Sequence, residues 1–155
     1  MTVQTRLFGN IEIEEKKIID FSNGIIGFDN LKKFMIIHDS ETVNAKILWL
    51  QSLDEASVAL PVIDPLLIKE DYNPTVEDEL FKNIGEIIED EMLVLTTLTV
   101  PSDLTAITTN LKAPIIINPV TMKGCQIIVE NEEYPVKYPI YEILKAHKEA
   151  AKEGN

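Results

Sequence analysis

Cysteine is almost absent from this 155-residue chain: Cys125 stands alone, which excludes an intrachain disulfide and a cysteine-built zinc site. Histidine is nearly as scarce. Only His38 and His147 are available, so nucleophile-plus-base chemistry has few candidate bases. No apolar run approaches the roughly 20 residues of a membrane helix, and Met1–Arg6 lacks the apolar stretch of a signal peptide. The expectation is therefore a soluble, cytoplasmic protein that makes no membrane contact. Aromatic residues are 6% of the chain, so a core must be built from Ile, Leu and Val, which favour strands over helices. Basic residues are outnumbered, 14 against 26 acidic ones, for a net charge of −12. Such a field repels a phosphate backbone, so direct nucleic-acid binding is not expected. It either attracts a basic protein or serves only solubility.

What is present is the composition of one globular domain, 45% hydrophobic and 26% charged. Short apolar segments alternate with turn residues. Leu7–Ile13 contains Gly9-Asn10, which predicts a bend between two short strands. Further strands are expected at Lys17–Phe21, Phe34–His38, Ile47–Leu53, Val58–Ile63, Met92–Val100, Leu104–Thr109, Pro114–Asn118 and Gln126–Glu130. That spacing predicts an antiparallel barrel or a sandwich. Two helices interrupt it. In Thr75–Gly85, Val76, Leu80, Phe81 and Ile84 share one face, with Gly85 as a stop. In Ile140–Lys152, Ile140, Ile143, Leu144, His147 and Ala151 form a stripe, with Pro139 at the first turn.

Catalytic and cofactor signatures are missing. His38 ends an apolar run, His147 lies in a helical stripe, and Cys125 reads as a buried structural thiol. Asn23-Gly24-Ile25-Ile26-Gly27-Phe28 lacks both dinucleotide spacing and the Lys-Ser/Thr of a phosphate loop, so its glycines are expected to supply positive φ in a turn. No calcium-loop pattern occurs. No metal, cofactor or catalytic residue is expected, although a pair of carboxylates leaves a small hydrolase or flavin-binding barrel as the competing reading.

The acidity is concentrated. Glu70, Asp71, Glu77, Asp78, Glu79, Glu86, Glu89, Asp90 and Glu91 are opposed only by Lys82, which places about −8 of the −12 in one stretch. Glu77 to Glu79 suit the first turn of the internal helix; the later acids have no such explanation.

Three blocks then appear in order. The first is Phe21-Ser22-Asn23-Gly24-Ile25-Ile26-Gly27-Phe28. The second is Trp49-Leu50-Gln51-Ser52-Leu53, followed by Ala59-Leu60-Pro61-Val62-Ile63-Asp64-Pro65 and Tyr72. The third is Asn110-Leu111-Lys112-Ala113-Pro114-Ile115-Ile116-Ile117-Asn118 with Gly124-Cys125-Gln126-Ile127-Ile128. From about Val3 to Tyr138 the chain resembles the flagellar assembly factor FliW family. It departs from the family in the aliphatic Val58-Ala59-Leu60 and in a tail from Glu142 to Asn155 that is longer than the core pattern requires.

The resemblance implies a mainly β fold: a small antiparallel β-barrel-like single domain with one short internal helix and a C-terminal helix, residues 1–140 forming the barrel and 141–155 a helical tail. It implies no catalysis and two protein partners, flagellin and the RNA-binding translational regulator CsrA. Bound to new flagellin, such a protein is sequestered. Once flagellin is exported, it is free to bind CsrA, away from the RNA-contacting surface, and to relieve repression of flagellin mRNA. A flagellin chaperone that ignores CsrA is the alternative within the family.

Gly24, Gly27, Pro61 and Pro114 are expected to set backbone geometry, and Phe21, Phe28, Trp49 and Ile115–Ile117 to lie in the core. The candidate partner-binding residues are polar positions inside apolar blocks, Gln51, Ser52, Asp64, Asn110 and Asn118, and the acids Glu70, Asp71, Glu86, Glu89, Asp90 and Glu91. For the first group the competing role is turn capping, and for the second a merely solvated face.

Overall fold

A computed structural model describes residues 2–38, 47–75, 84–85 and 91–153. Eleven strands and one α-helix occur among them. They are β1 (Thr2–Thr5), β2 (Gly9–Glu12), β3 (Ile19–Asp20), β4 (Lys33–His38), β5 (Ile47–Ser52), β6 (Ala59–Ile63), β7 (Leu93–Thr99), β8 (Thr108–Thr109), β9 (Ile115–Asn118), β10 (Lys123–Gln126), β11 (Tyr138–Pro139) and α1 (Tyr141–Glu153). The expected internal helix over Thr75–Gly85 falls almost entirely outside the described residues.

Seven strands close into a barrel, in the order β3-β4-β5-β6-β7-β9-β10 and back to β3. Every pairing in the ring is antiparallel except the closure of β10 onto β3, which is parallel through Lys123 and Asp20. The strand β7 joins the ring by carrying β6 on one edge and β9, then β8, on the other. Leu93–Leu95 pair with β9, Thr96 and Thr97 with β6, and Leu98 and Thr99 with β8. Pro61 sits where β6 and β7 part. It lies opposite Trp49 in a pair between hydrogen-bonded neighbours, so its missing N–H breaks no bond to β5.

Side-chain alternation divides the apolar residues between lumen and outer wall. The lumen holds Ile19, Phe21, Ile25, Phe34, Leu50, Val62, Leu95, Ile115 and Ile117, with Phe21 and Phe34 edge to face at 5.4 Å. Gly124 admits the Phe21 ring, which a Cβ there would meet at 2.5 Å. On the outer wall Ile63 and Leu98 pack with Ile68, Tyr72, Ile107, Leu111, Val129, Tyr134 and Ile140, and α1 lays Ile143 and Leu144 on them. Ile84 covers Ile116, Cys125 and Ile127 on another sector.

Several expectations shift. The bend of the first hairpin is at Arg6–Phe8, and Gly9 (φ 64°) opens β2; Thr5 Oγ1 accepts from the Phe8 amide and donates to the Gly9 carbonyl, closing the turn early. The segment Lys17–Phe21 contributes only Ile19–Asp20, because Glu15–Lys17 forms a 3-10 turn. In Leu104–Thr109 the Asp103 carboxylate accepts from the Thr105 amide and starts a 3-10 turn at Leu104–Ala106, leaving two residues for β8. The strand expected at Gln126–Glu130 lies earlier, at Lys123–Gln126; Ile127 and Val129 still donate to the Pro114 and Lys112 carbonyls. Pro139 belongs to β11, two residues before the helix begins. Trp49, expected in the core, points outward.

The turn Ile25–Phe28 shows why its glycines are there. The Phe28 amide donates to the Ile25 carbonyl at 2.7 Å, and Gly27 takes φ 89°, the conformation of the third position of a type II turn. Gly24 (φ 71°) also lies against Asp29, whose backbone a Cβ would meet at 2.7 Å. Gly27→Ala carries only the backbone cost, about 1 kcal/mol. Gly24→Ala adds a backbone clash and should cost about 2–4 kcal/mol. Urea titrations of the two variants check the order; equal losses would refute the assigned clash.

Candidate partner-binding surface

The five polar candidates are used first by the fold. Gln51 is fully buried, and the two N–H groups of its Nε2 are shared among the carbonyls of Ser52, Ala56 and Val58 at 2.9, 3.0 and 3.1 Å, drawing in the β5–β6 turn. Ser52 is fully buried as well, its Oγ accepting from the Glu55 amide at 3.0 Å. Asn118, 2% exposed, donates through Nδ2 to the Ile84 carbonyl at 2.9 Å and accepts through Oδ1 from the Val120 and Thr121 amides. Asp64 is half-buried and caps the 3-10 turn Pro65–Leu67 by accepting from the Leu66 amide. Asn110, also half-buried, accepts from the Lys112 and Ala113 amides. Each makes the turn bond for which these residue types are suited. Gln51, Ser52 and Asn118 present no free side-chain surface; Asp64 and Asn110 keep part of theirs.

The acids fall differently. Glu70, Asp71 and Glu91 are exposed, while Glu86, Glu89 and Asp90 lie outside the described residues. All six belong to the long connection between β6 and β7. Asp71 is bridged by Lys69 at 3.1 Å, and that hydrogen bond raises the Lys69 pKa; the Lys69 ammonium also stands 5.9 Å from the Tyr138 ring centre. Glu70 makes no side-chain hydrogen bond or ion pair among the described residues.

A polar and aromatic clamp holds this connection in place. Tyr72 donates to the Leu111 carbonyl at 2.7 Å and packs on Tyr134 with ring centres 4.6 Å apart. Burial raises the Tyr72 phenol far above its ordinary value. The Tyr134 hydroxyl accepts from the Asn73 amide, and Asn131 Oδ1 accepts from the Thr75 amide. Glu70 and Asp71 thus project from a fixed backbone. Tyr134 and Asn131 were not legible as site residues, since both act through backbone groups distant in sequence.

The residues of conventional chemistry are dispersed. His38 is exposed at the end of β4, and His147 Nε2 lies 2.9 Å from the Leu67 carbonyl, tying α1 to the 3-10 turn. Cys125 is buried, and desolvation pushes its thiol up to about 11. Among the described residues no three His, Cys, Asp or Glu side chains come together as a metal site, and no helix is long and apolar enough to cross a membrane. Apolar surface is available elsewhere. Ile26 is 55% exposed on the type II turn, and its amide donates to Gln126 Oε1, which ties that turn to the segment carrying Ile128, 63% exposed.

A filled seven-stranded barrel with its charge and apolar knobs on outer turns defines the class of the molecule. Residues 2–140 match the family model described as FliW protein. The flagellar assembly factor FliW of Lachnoclostridium phytofermentans is 52% identical over 143 residues, covering 92% of both chains. That of Lachnospira eligens is 53% identical over 147 residues, covering 94% of this chain and 97% of its own. A crystal structure of the flagellar assembly factor FliW superposes with a TM-score of 0.82 at 30% identity, over 90% of this chain and 96% of that one. The chain belongs to the FliW family.

Two expected outcomes follow from the geometry. Asn118→Ala removes one of the two donors to the Ile84 carbonyl, leaving that of Thr121 Oγ1, and strands two turn amides; it should lower unfolding free energy by about 1–3 kcal/mol with an unchanged urea slope. A loss below about 1 kcal/mol would show that water replaces these bonds. The raised Cys125 pKa means that the unfolded thiol ionises first as pH rises. Stability is therefore intact below the ordinary thiol value of 9.0 and is lost between there and about 11. In urea titrations across that range Cys125→Ala should show a shallower alkaline decline than the parent; parallel curves would contradict the assignment.

Proposed function

We propose that this chain is a flagellar assembly factor that acts by binding two proteins in turn. Engaged with flagellin it is held as a chaperone-like partner. When free, it binds the translational regulator CsrA and relieves repression of flagellin mRNA, working in the cytoplasm without a cofactor. Family membership over residues 2–140 carries the reading. The acids support the second half: Glu70 and Asp71 stand exposed on a backbone clamped through Tyr72 and Asn73, where their field can steer a basic partner. In this reading Glu70, Asp71, Glu86, Glu89, Asp90 and Glu91 form the attracting face, with Asp64 and Asn110 as polar contacts beside it. Asn118 ties the β6–β7 connection to the end of β9 through the Ile84 carbonyl, while Gln51 and Ser52 hold the β5–β6 turn at the far end of β6. Flagellin, an export substrate with helical segments, is assigned the more apolar surface around Ile26 and Ile128. Residues 141–153 are assigned as a C-terminal helical tail beyond the family core, laid on the barrel's outer wall through Ile143 and Leu144.

Charge reversal by Glu70→Lys and Asp71→Lys should slow CsrA association by about tenfold at low salt and flatten its salt dependence, with the fold retained by circular dichroism. Stopped-flow mixing at two ionic strengths measures both. Unchanged rates would remove the steering role. A pull-down in which flagellin binds and CsrA does not would reduce the function to that of a flagellin chaperone.

A further inference from the structure

The C-terminal segment of the chain returns to the connection that carries Glu70 and Asp71. Three kinds of contact join the two. His147 Nε2 donates to the Leu67 carbonyl at 2.9 Å. The Lys69 ammonium, which also bridges Asp71, stands 5.9 Å from the Tyr138 ring centre, within reach of a cation–π attraction. Ile68 and Tyr72 are buried in one cluster with Ile140, and Ile143 and Leu144 of α1 pack on that cluster. Glu70 and Asp71, both exposed, lie in sequence between these anchored residues.

The helix that makes these contacts is lightly held. Tyr141–Glu153 is 13 residues long, a length at which an isolated helix is marginal in water. Its docked face is small. Ile140, just before it, is fully buried, but Ile143 and Leu144 are only half-buried, and Glu142, Lys145, Ala146 and Glu149 are exposed. A groove of about 500 Å³ runs along Glu142, Ile143, Ala146 and His147, so this side of the helix is not packed against the barrel. Such a segment is helical while it is docked and loses its order when it lifts away. It has two states, and only the docked one ties down Leu67.

We propose that α1 is a reversible strap: docked, it holds the Leu67–Tyr72 backbone and presents Glu70 and Asp71 as a fixed pair; undocked, it releases them. Charges on a fixed backbone lose less entropy when a partner engages them than charges on a loose one. The docked form is then the binding-competent one, and the apparent affinity of a basic partner follows its population. Linkage makes the effect reciprocal, so a partner seated on Glu70 and Asp71 stabilises docked α1. The link to a partner rests on the preceding reading, with CsrA as the basic protein; the strap itself does not.

The strap is tested on the full chain without a partner. Leu144→Asp should undock α1, and His147→Ala should remove the tie to Leu67; Lys145→Ala, on the exposed face, is the control. Hydrogen exchange read by mass spectrometry should show α1 exchanging faster than β5 in the parent. In Leu144→Asp residues 66–73 should exchange about threefold faster than in the parent, and in His147→Ala less so, with β4 and β5 unchanged. Exchange at 66–73 that stays unchanged in both variants overturns the strap, as does an equal rise in β4 and β5. Should Leu144→Asp fail to fold, His147→Ala decides alone. Purified CsrA tests the link. It should bind Leu144→Asp about threefold more weakly than the parent, bind Lys145→Ala like the parent, and slow exchange across α1 in the parent. Weaker binding to Lys145→Ala would place the contact on α1 itself and overturn the link. CsrA that binds with none of the expected effects also overturns the link, while leaving the proposed function intact. If CsrA does not bind the parent, its place in the proposed function and the link both fall, and exchange still decides the strap.

Discussion

The structure depends on one strand satisfying three neighbours. A sheet closes when the strands at its two ends pair, and here the ring is joined at β7, which carries β6 on one edge and, on the other, β9 along Leu93–Leu95 and β8 along Leu98–Thr99. The division between lumen and wall follows from it. Leu95 fills the barrel, whereas Val94 and Leu98 belong to the cluster outside. Pro61 marks the same junction from the other side, removing a donor where β6 and β7 diverge. A barrel closed this way and filled by Phe21, Phe34 and Leu50 leaves its interior to packing, and the remaining elements are mounted outside.

Those outer mountings are of three kinds. The clamp of Tyr72 and Tyr134 fixes the connection between β6 and β7. Ile84 is buried over Cys125, its carbonyl held by Asn118 and Thr121. The N-terminal hairpin rests on Trp49. Polar residues inside apolar blocks serve these attachments: Asn118 joins the end of β9 to Ile84, and Gln51 gathers three carbonyls of the β5–β6 turn.

Much of the barrel was legible from sequence because period-two patterning and β-branched residues mark β4, β5, β6, β7 and β9 within a residue or two. The turn Ile25–Phe28 was legible because only glycine takes its φ values cheaply. Less local features were hidden. The Gly9-Asn10 pair reads as a turn centre, but the hydroxyl of Thr5 closes the turn earlier. Trp49 has the composition of a core residue, and only strand register places it outside. Candidate site residues were legible as polar anomalies, yet sequence does not tell whether an Asn or Gln spends its hydrogen bonds on its own chain. For Ser52 and Asn118 the chain takes them, and for Gln51 it takes those of the side-chain N–H groups. The exposure of Glu70 and Asp71 follows from charge alone; their fixed presentation depends on hydrogen bonds that the Asn73 and Thr75 amides donate to Tyr134 and Asn131, some sixty residues away in sequence.

The connection at residues 64–92 also bears on how such a protein can change. Its ends are built into adjacent barrel strands, Ile63 and Leu93, and it is tied down partway by Tyr72 and Ile84. Lengthening a connection costs little, because closure entropy grows only with the logarithm of its length. Acids can therefore be gained, lost or respaced there with small consequence for folding. A substitution that misfits the barrel lumen costs folding directly, whereas one on this connection costs little, so the charge it carries can be changed without disturbing the scaffold.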